Sequence, residues 1–206
     1  MKKRLSCILT ILFLCVLAQL SFANDNITEV KNIEQKSSEE IREQSKILYM
    51  GNQYELAQKN ILSIPDTQKI AFDYYLIGLT TKDTREAIKA YENAIALDEK
   101  FYQAYFNIAN LYFSIQNYEK AVDNYKLAVK HNKDFAYGHY NLGCTYLVLE
   151  DYNNARKSFE KAIKINPKEP DYYHNLGFSY KKLGNKKRAD KAISLYNELM
   201  KERVSD

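Results

Sequence analysis

Three histidines and three cysteines are the side chains here best suited to nucleophilic or metal chemistry. His139 and Cys144 stand five residues apart, about 140° around a helix, so they cannot form a dyad within one. Cys144 and His174 could meet only if the chain stacked them on adjacent elements. A thiolate beside an imidazole is a nucleophile or a metal ligand, but no third orienting group accompanies this pair. The sequence has no glycine-rich phosphate loop, no histidine pair at metal-ligand spacing and no nucleophile motif. No catalytic, cofactor-binding or metal-ligating residue is assigned, and the chain reads as non-enzymatic. A thiol-dependent enzyme at Cys144 and His174 stays as an alternative.

Cys7 and Cys15 belong to a different kind of segment. Residues 1–23 begin with Lys2, Lys3 and Arg4, continue through an apolar run from Leu5 to Ala18, and end on Ser21 and Ala23. That order is expected of an export signal cleaved before Asn24. The apolar run is shorter than the ~20 residues that span a bilayer. Lipid attachment at Cys15 would require a small residue where Leu14 stands. Cleavage would leave Cys144 as the only cysteine, excluding an internal disulfide, and a periplasmic or secreted protein is expected. Together with a composition rich in Lys, Asn, Ile and Tyr, the leader points to a bacterial source.

Loss of the leader removes three of the 30 basic residues and none of the 26 acidic ones, leaving a net charge of +1. The whole-chain pI of 8.7 therefore gives no reason to expect nucleic-acid binding, which calls for a strongly basic domain. The content of 46% hydrophobic residues suits a sizeable core, and only 6 glycines and 3 prolines suit long helices.

The elements that would position these residues repeat every 34 positions. "YFNIANLY" (105–112), "HYNLGCTY" (139–146) and "YHNLGFSY" (173–180) keep an asparagine, an aliphatic, a small residue and a tyrosine in register. Residues 24–37 read as a flexible polar lead-in, and Ser37 with Glu40 has the spacing of a capping box. Helices are expected near 38–50, 53–63, 68–79, 84–97, 102–115, 118–131, 136–149, 152–165, 170–183 and 187–202. Tyr118, Ala121, Val122, Tyr125, Ala128 and Val129 form one apolar stripe at helical period. Ala109, Gly143 and Gly177 share a place that demands small volume.

Two helices per 34 residues, with Leu142, Gly143, Tyr146, Tyr152, Ala155, Phe159, Ala162 and Pro167 marking the best copy, resemble the tetratricopeptide repeat. The resemblance implies an all-α, right-handed solenoid of antiparallel helix pairs over 38–203, with a tail at 204–206. It comprises about four to five repeats, near 38–67, 71–101, 102–135, 136–169 and 170–203. The last repeat departs from the pattern at Lys186 and Tyr196, as a terminal repeat would.

First helices of each pair carry a second apolar face. Tyr137, Tyr140, Cys144, Leu147 and Val148 lie nearly opposite His139, Leu142, Gly143, Tyr146 and Leu149, so one side must be covered twice or offered to a partner. The resemblance implies that first helices line a concave groove holding an extended or helical peptide. That groove would contain Phe72, Tyr75, Phe106, Asn110, Phe113, Tyr137, Tyr140, Cys144, His174 and Phe178, and turn basic through Lys181 and Lys182. Asn107, Asn141 and Asn175 stand where such proteins hold a ligand backbone. The alternatives are coverage of the groove by the lead-in or by lateral packing. The expected function is a protein-interaction scaffold, with no cofactor. A membrane-surface or self-assembling role through the basic run 181–191, including peripheral contact with anionic lipid, is the second reading.

Overall fold

In the computed structural model residues 36–205 are described. The expected export signal and nearly all of the expected lead-in lie outside the described residues, as does Asp206. The described residues form ten α-helices, one short 3-10 turn and no strand. They are α1 (Ser38–Met50), α2 (Tyr54–Leu62), α3 (Ala71–Thr80), α4 (Thr84–Leu97), α5 (Tyr102–Ser114), α6 (Tyr118–His131), α7 (Ala136–Val148), α8 (Tyr152–Ile165), α9 (Pro170–Lys182) and α10 (Lys186–Ser205).

Two boundaries differ from expectation for local reasons. The third helix begins at Ala71, not near 68, because Asp66–Gln68 closes a separate 3-10 turn and Ile70 is extended. The last helix continues through most of the expected tail to Ser205. No glycine or proline stands there to stop it, and Arg203 reaches Glu169 at 3.6 Å.

Consecutive helices pair as α1–α2 through α9–α10, and each pair packs on the next, so most contacts are between chain neighbours. This is the quasi-one-dimensional arrangement of a solenoid. Three of the intra-pair turns share one chemistry. Gln116, Glu150 and Gly184, spaced 34 apart, take left-handed φ values of 60°, 58° and 75°. The following residue donates its N–H five residues back, Asn117 to Tyr112, Asp151 to Tyr146 and Asn185 to Tyr180, each at 2.8–2.9 Å. Together with the Gln116 N–H on the Phe113 carbonyl and its equivalents, this closes the first helix with a Schellman motif. Asn117, Asp151 and Asn185 also accept the backbone N–H of the residue three ahead, capping the next helix. One residue thus ends one helix and starts another, which keeps each turn short.

The core alternates small and large residues. Ala121, Ala155 and Phe159 are fully buried, and Ala189, Tyr125 and Tyr180 nearly so. A methyl group at Gly143 would lie 2.6 Å from the Phe159 ring, and one at Gly78 would lie 2.4 Å from that of Tyr91. Small volume at this level is therefore required by ring contact between the two helices of a pair.

At the N-terminal end a polar lock replaces part of this packing. The Arg42 Nε donates to both Asp73 oxygens at 2.9 and 3.0 Å, and Nη2 donates to the Gln68 carbonyl. Asp73, fully buried, also accepts the Ile70 N–H. With every charge matched, the pair joins α1 to α3 where the chain between them is irregular.

Candidate functional site

Positions on the first helices α3, α5, α7 and α9 form a wall of rings. Tyr75 packs on Phe101 at 5.1 Å between centroids, Phe106 on Phe135 at 5.0 Å and on Tyr137 at 5.6 Å. Tyr140 packs on Tyr172 at 4.9 Å, and His174 on Tyr196 at 5.2 Å. Lateral packing between repeats therefore occupies part of the second apolar face.

The expected groove residues divide accordingly. Phe72, Phe106, Phe113 and Tyr140 are half-buried against neighbouring rings. Tyr137 is 53% and Phe178 41% exposed, and His174 and Lys181 are open to solvent. His174, Phe178 and Lys181 share a hollow of about 600 Å3 at the C-terminal end of the wall. The Lys182 ammonium lies 5.6 Å from both the Phe178 and Tyr152 rings, a cation–π arrangement that holds it against the wall.

Within the chain the asparagines already have partners. Asn175 donates to the Tyr140 hydroxyl at 3.1 Å. Asn141 reaches the Asn110 oxygen at 3.5 Å, and that oxygen accepts the Tyr125 hydroxyl at 2.5 Å. Asn107 lies against the Tyr75 and Tyr91 hydroxyls. Asn107 and Asn175 thus sit against phenols of the preceding repeat, as part-buried hydroxyls require, while Asn141 joins the preceding repeat's Tyr125–Asn110 hydrogen bond through the Asn110 oxygen. Where the core ring is Phe159, which has no hydroxyl, Asn175 turns to Tyr140 instead.

Cys144 and His174 are not brought together as a hydrogen-bonded pair. The thiol lies 3.7 Å from the Asn175 amide nitrogen, while His174 faces Tyr196 and the Asn175 oxygen. Burial pushes the Cys144 thiol up to about 11, so it holds its proton at neutral pH. Among the described residues no group of three or more His, Cys, Asp or Glu is arranged to hold a metal ion.

One feature was not anticipated. On the opposite side of α7 a cleft of about 940 Å3 lies between α6 and α8, floored by Val129, Leu142, Tyr146 and Ile165 and walled by six lysines. Its signal lay in the sequence as a column comparison across repeats, since the lysines come from α6, the turn that follows it and α8, which become neighbours only on stacking.

Comparisons with known proteins agree with this architecture. A model described as TPR repeat matches residues 109–149 and 145–184, and one described as tetratricopeptide repeat matches 74–101 and 170–199. Together these matches span more than half of the chain. Among solved structures, a crystal structure of MamA is 20% identical, with a TM-score of 0.71 over 79% of this chain and 97% of that one. The MamA RS-1 ArsTM double mutant is also 20% identical, with a TM-score of 0.73 over 82% and 97%. MamA 41-end from Desulfovibrio magneticus RS-1 is 19% identical, with a TM-score of 0.70 over 80% and 96%. At these identities the likeness is one of fold. Among curated proteins nothing matches the chain. Helix pairing, the 34-residue register and the matched repeats lead to one conclusion: the chain belongs to the tetratricopeptide-repeat family.

Proposed function

We propose that the protein is a non-enzymatic interaction scaffold, exported to the cell envelope or beyond, that takes an extended or helical segment of a partner protein against its first-helix wall. The observation that carries this reading is the set of rings left open on that wall, Tyr137 and Phe178 above all. Large apolar side chains exposed beside polar ones mark surfaces where burial gives affinity. Asn107, Asn141 and Asn175 border the same wall and would set register by exchanging a present hydrogen bond for one to the ligand backbone. Lys181 and Lys182 would favour a partner with acidic groups at its C-terminal end.

Phe106 and Tyr140 are poor positions for a test, because their loss would disturb lateral packing. The double variant Tyr137→Ala/Phe178→Ala removes the two most exposed of the expected phenylalanine and tyrosine groove rings, which also touch neighbours on the wall. In affinity capture from cell-envelope fractions it is expected to lose partners that the wild type retains while unfolding at nearly the same temperature. Equal recovery with both proteins would refute the wall as the binding face. N-terminal sequencing of the protein from cells tests export, with Asn24 expected as the first residue.

Self-assembly is a second reading, favoured by the hollow beside α9 and α10 where a following helix pair would otherwise pack. Concentration-dependent growth in sedimentation, lost on Phe178→Asp, would support it. A thiol enzyme is disfavoured by the raised thiol and its amide and phenol neighbours.

A further inference from the structure

The cleft between α6 and α8 differs from its equivalents one repeat away in both directions. Its walls carry Lys126, Lys130 and Lys133 on one side and Lys157, Lys161 and Lys164 on the other. All six are exposed, and none forms an ion pair among the described residues. Asp134 is the one acid on the lining. Moving 34 residues back, the six places hold Glu92, Ala96, Glu99, Asp123, Leu127 and Lys130. Moving 34 forward, they hold Glu160, Lys164, Pro167, Lys191, Leu195 and Glu198. The fold therefore does not require lysine at these positions, and both neighbouring clefts mix signs where this one does not.

The shape differs as well. Tyr105 and Tyr173 fill the corresponding places in the neighbouring clefts, one stacked 5.5 Å from His131 and the other donating to the Pro167 carbonyl at 3.0 Å. Here the position is His139, a smaller ring that is turned inward, buried, with Nε2 3.2 Å from the Lys133 carbonyl. The cleft between α8 and α10 measures about 300 Å3, against about 940 Å3 here. A roomier cleft with an apolar floor and six cations along its rim, none in an ion pair among the described residues and only Lys126 resting over a ring, that of Tyr146 at 5.9 Å, is charge-unbalanced by itself.

We propose that the cleft between α6 and α8 is a second binding site, on the side of α7 away from the ring wall, for a short acidic segment of a partner protein that also carries aliphatic side chains. Lys157 and Lys164 are seven residues apart, about 10 Å along the helix axis, a span of about three residues of extended chain. Aliphatic side chains of the segment rest on Val129, Leu142 and Ile165, and its carboxylates meet the lysine rails. No arginine lines the cleft, so the planar fork that favours phosphate is missing, whereas carboxylates spaced along a chain suit separate ammonium groups.

The test uses the full chain and a fluorescein-labelled dodecapeptide of alternating glutamate and leucine, followed by anisotropy at low and physiological ionic strength. Three proteins are compared with wild type: Lys130→Glu/Lys157→Glu/Lys161→Glu, the equally charged Lys186→Glu/Lys187→Glu/Lys191→Glu, and Tyr137→Ala/Phe178→Ala. Because the exchanged lysines are exposed, circular dichroism is expected to match wild type throughout. Binding at least tenfold weaker in the first variant, near wild type in the other two, and weaker with salt is the expected result. Equal weakening by the two lysine variants would overturn the proposal in favour of unspecific charge attraction. It is also overturned if a glutamine–leucine peptide binds as well, or if phosphatidylglycerol vesicles bind in a cleft-dependent manner while the peptide does not. Loss of binding in the ring-wall variant alone would place the segment on the other face and equally refute this site.

Discussion

Burial raises the Cys144 thiol to about 11 from an ordinary 9.0, and Tyr140 and Asn175 are its polar neighbours. In the folded chain the proton is retained until about pH 11, whereas the unfolded chain releases it near 9. Between those values the unfolded state holds fewer protons, so stability falls as pH rises, and below that window the thiol's contribution is fully present. Denaturant midpoints measured from pH 8 to 10 are expected to decline more steeply for wild type than for Cys144→Ala. Parallel curves would show that the thiol titrates as in the unfolded chain. At the same scale, the asparagines show why residue type alone misdirects: an amide that suits a ligand backbone also suits a tyrosine hydroxyl. Asn107 and Asn175 face phenols that the 34-residue register places one repeat earlier.

At the scale of elements, the turns carry unequal strain for equal geometry. Gly184 takes the left-handed region freely, but Gln116 and Glu150 adopt φ near 60° with a side chain, at a cost of roughly 1 kcal/mol each. Gln116→Gly and Glu150→Gly are each expected to stabilise by about 0.5 kcal/mol or more, since added unfolded-state entropy offsets part of the relieved strain. Chemical denaturation checks this, and a lower midpoint for both would show that side-chain contacts outweigh the backbone. Most helix limits were legible because period, cap residues and small–large pairing agree from α4 to α9. The start of α3 was not, since its 3-10 approach and the Arg42–Asp73 lock depend on two residues 31 apart meeting in space. The lysine cleft escaped for the same reason: on either helix alone, its lysines look like a solvated face.

Across the whole molecule, contact mainly between chain neighbours makes stability the sum of repeat terms and interface terms. Position in the array then decides what a core change does. Ala155 and Ala189 occupy equivalent places, both buried at the close approach of their pairs. The α7–α8 pair has a pair on each side, whereas among the described residues α9–α10 has one on a single side only. Ala155→Leu would overpack the fully buried Phe159 level, at a cost on the order of 1–3 kcal/mol, and no lateral relaxation is open to it. That variant is expected to lower the main unfolding transition and raise amide exchange from α6 through α9. Ala189→Leu can be relieved by outward movement of α10, so exchange should rise there while the transition midpoint stays nearly fixed. Equal global losses from the two substitutions would show that the array unfolds as one cooperative block, with the terminal pair as firmly held as the centre.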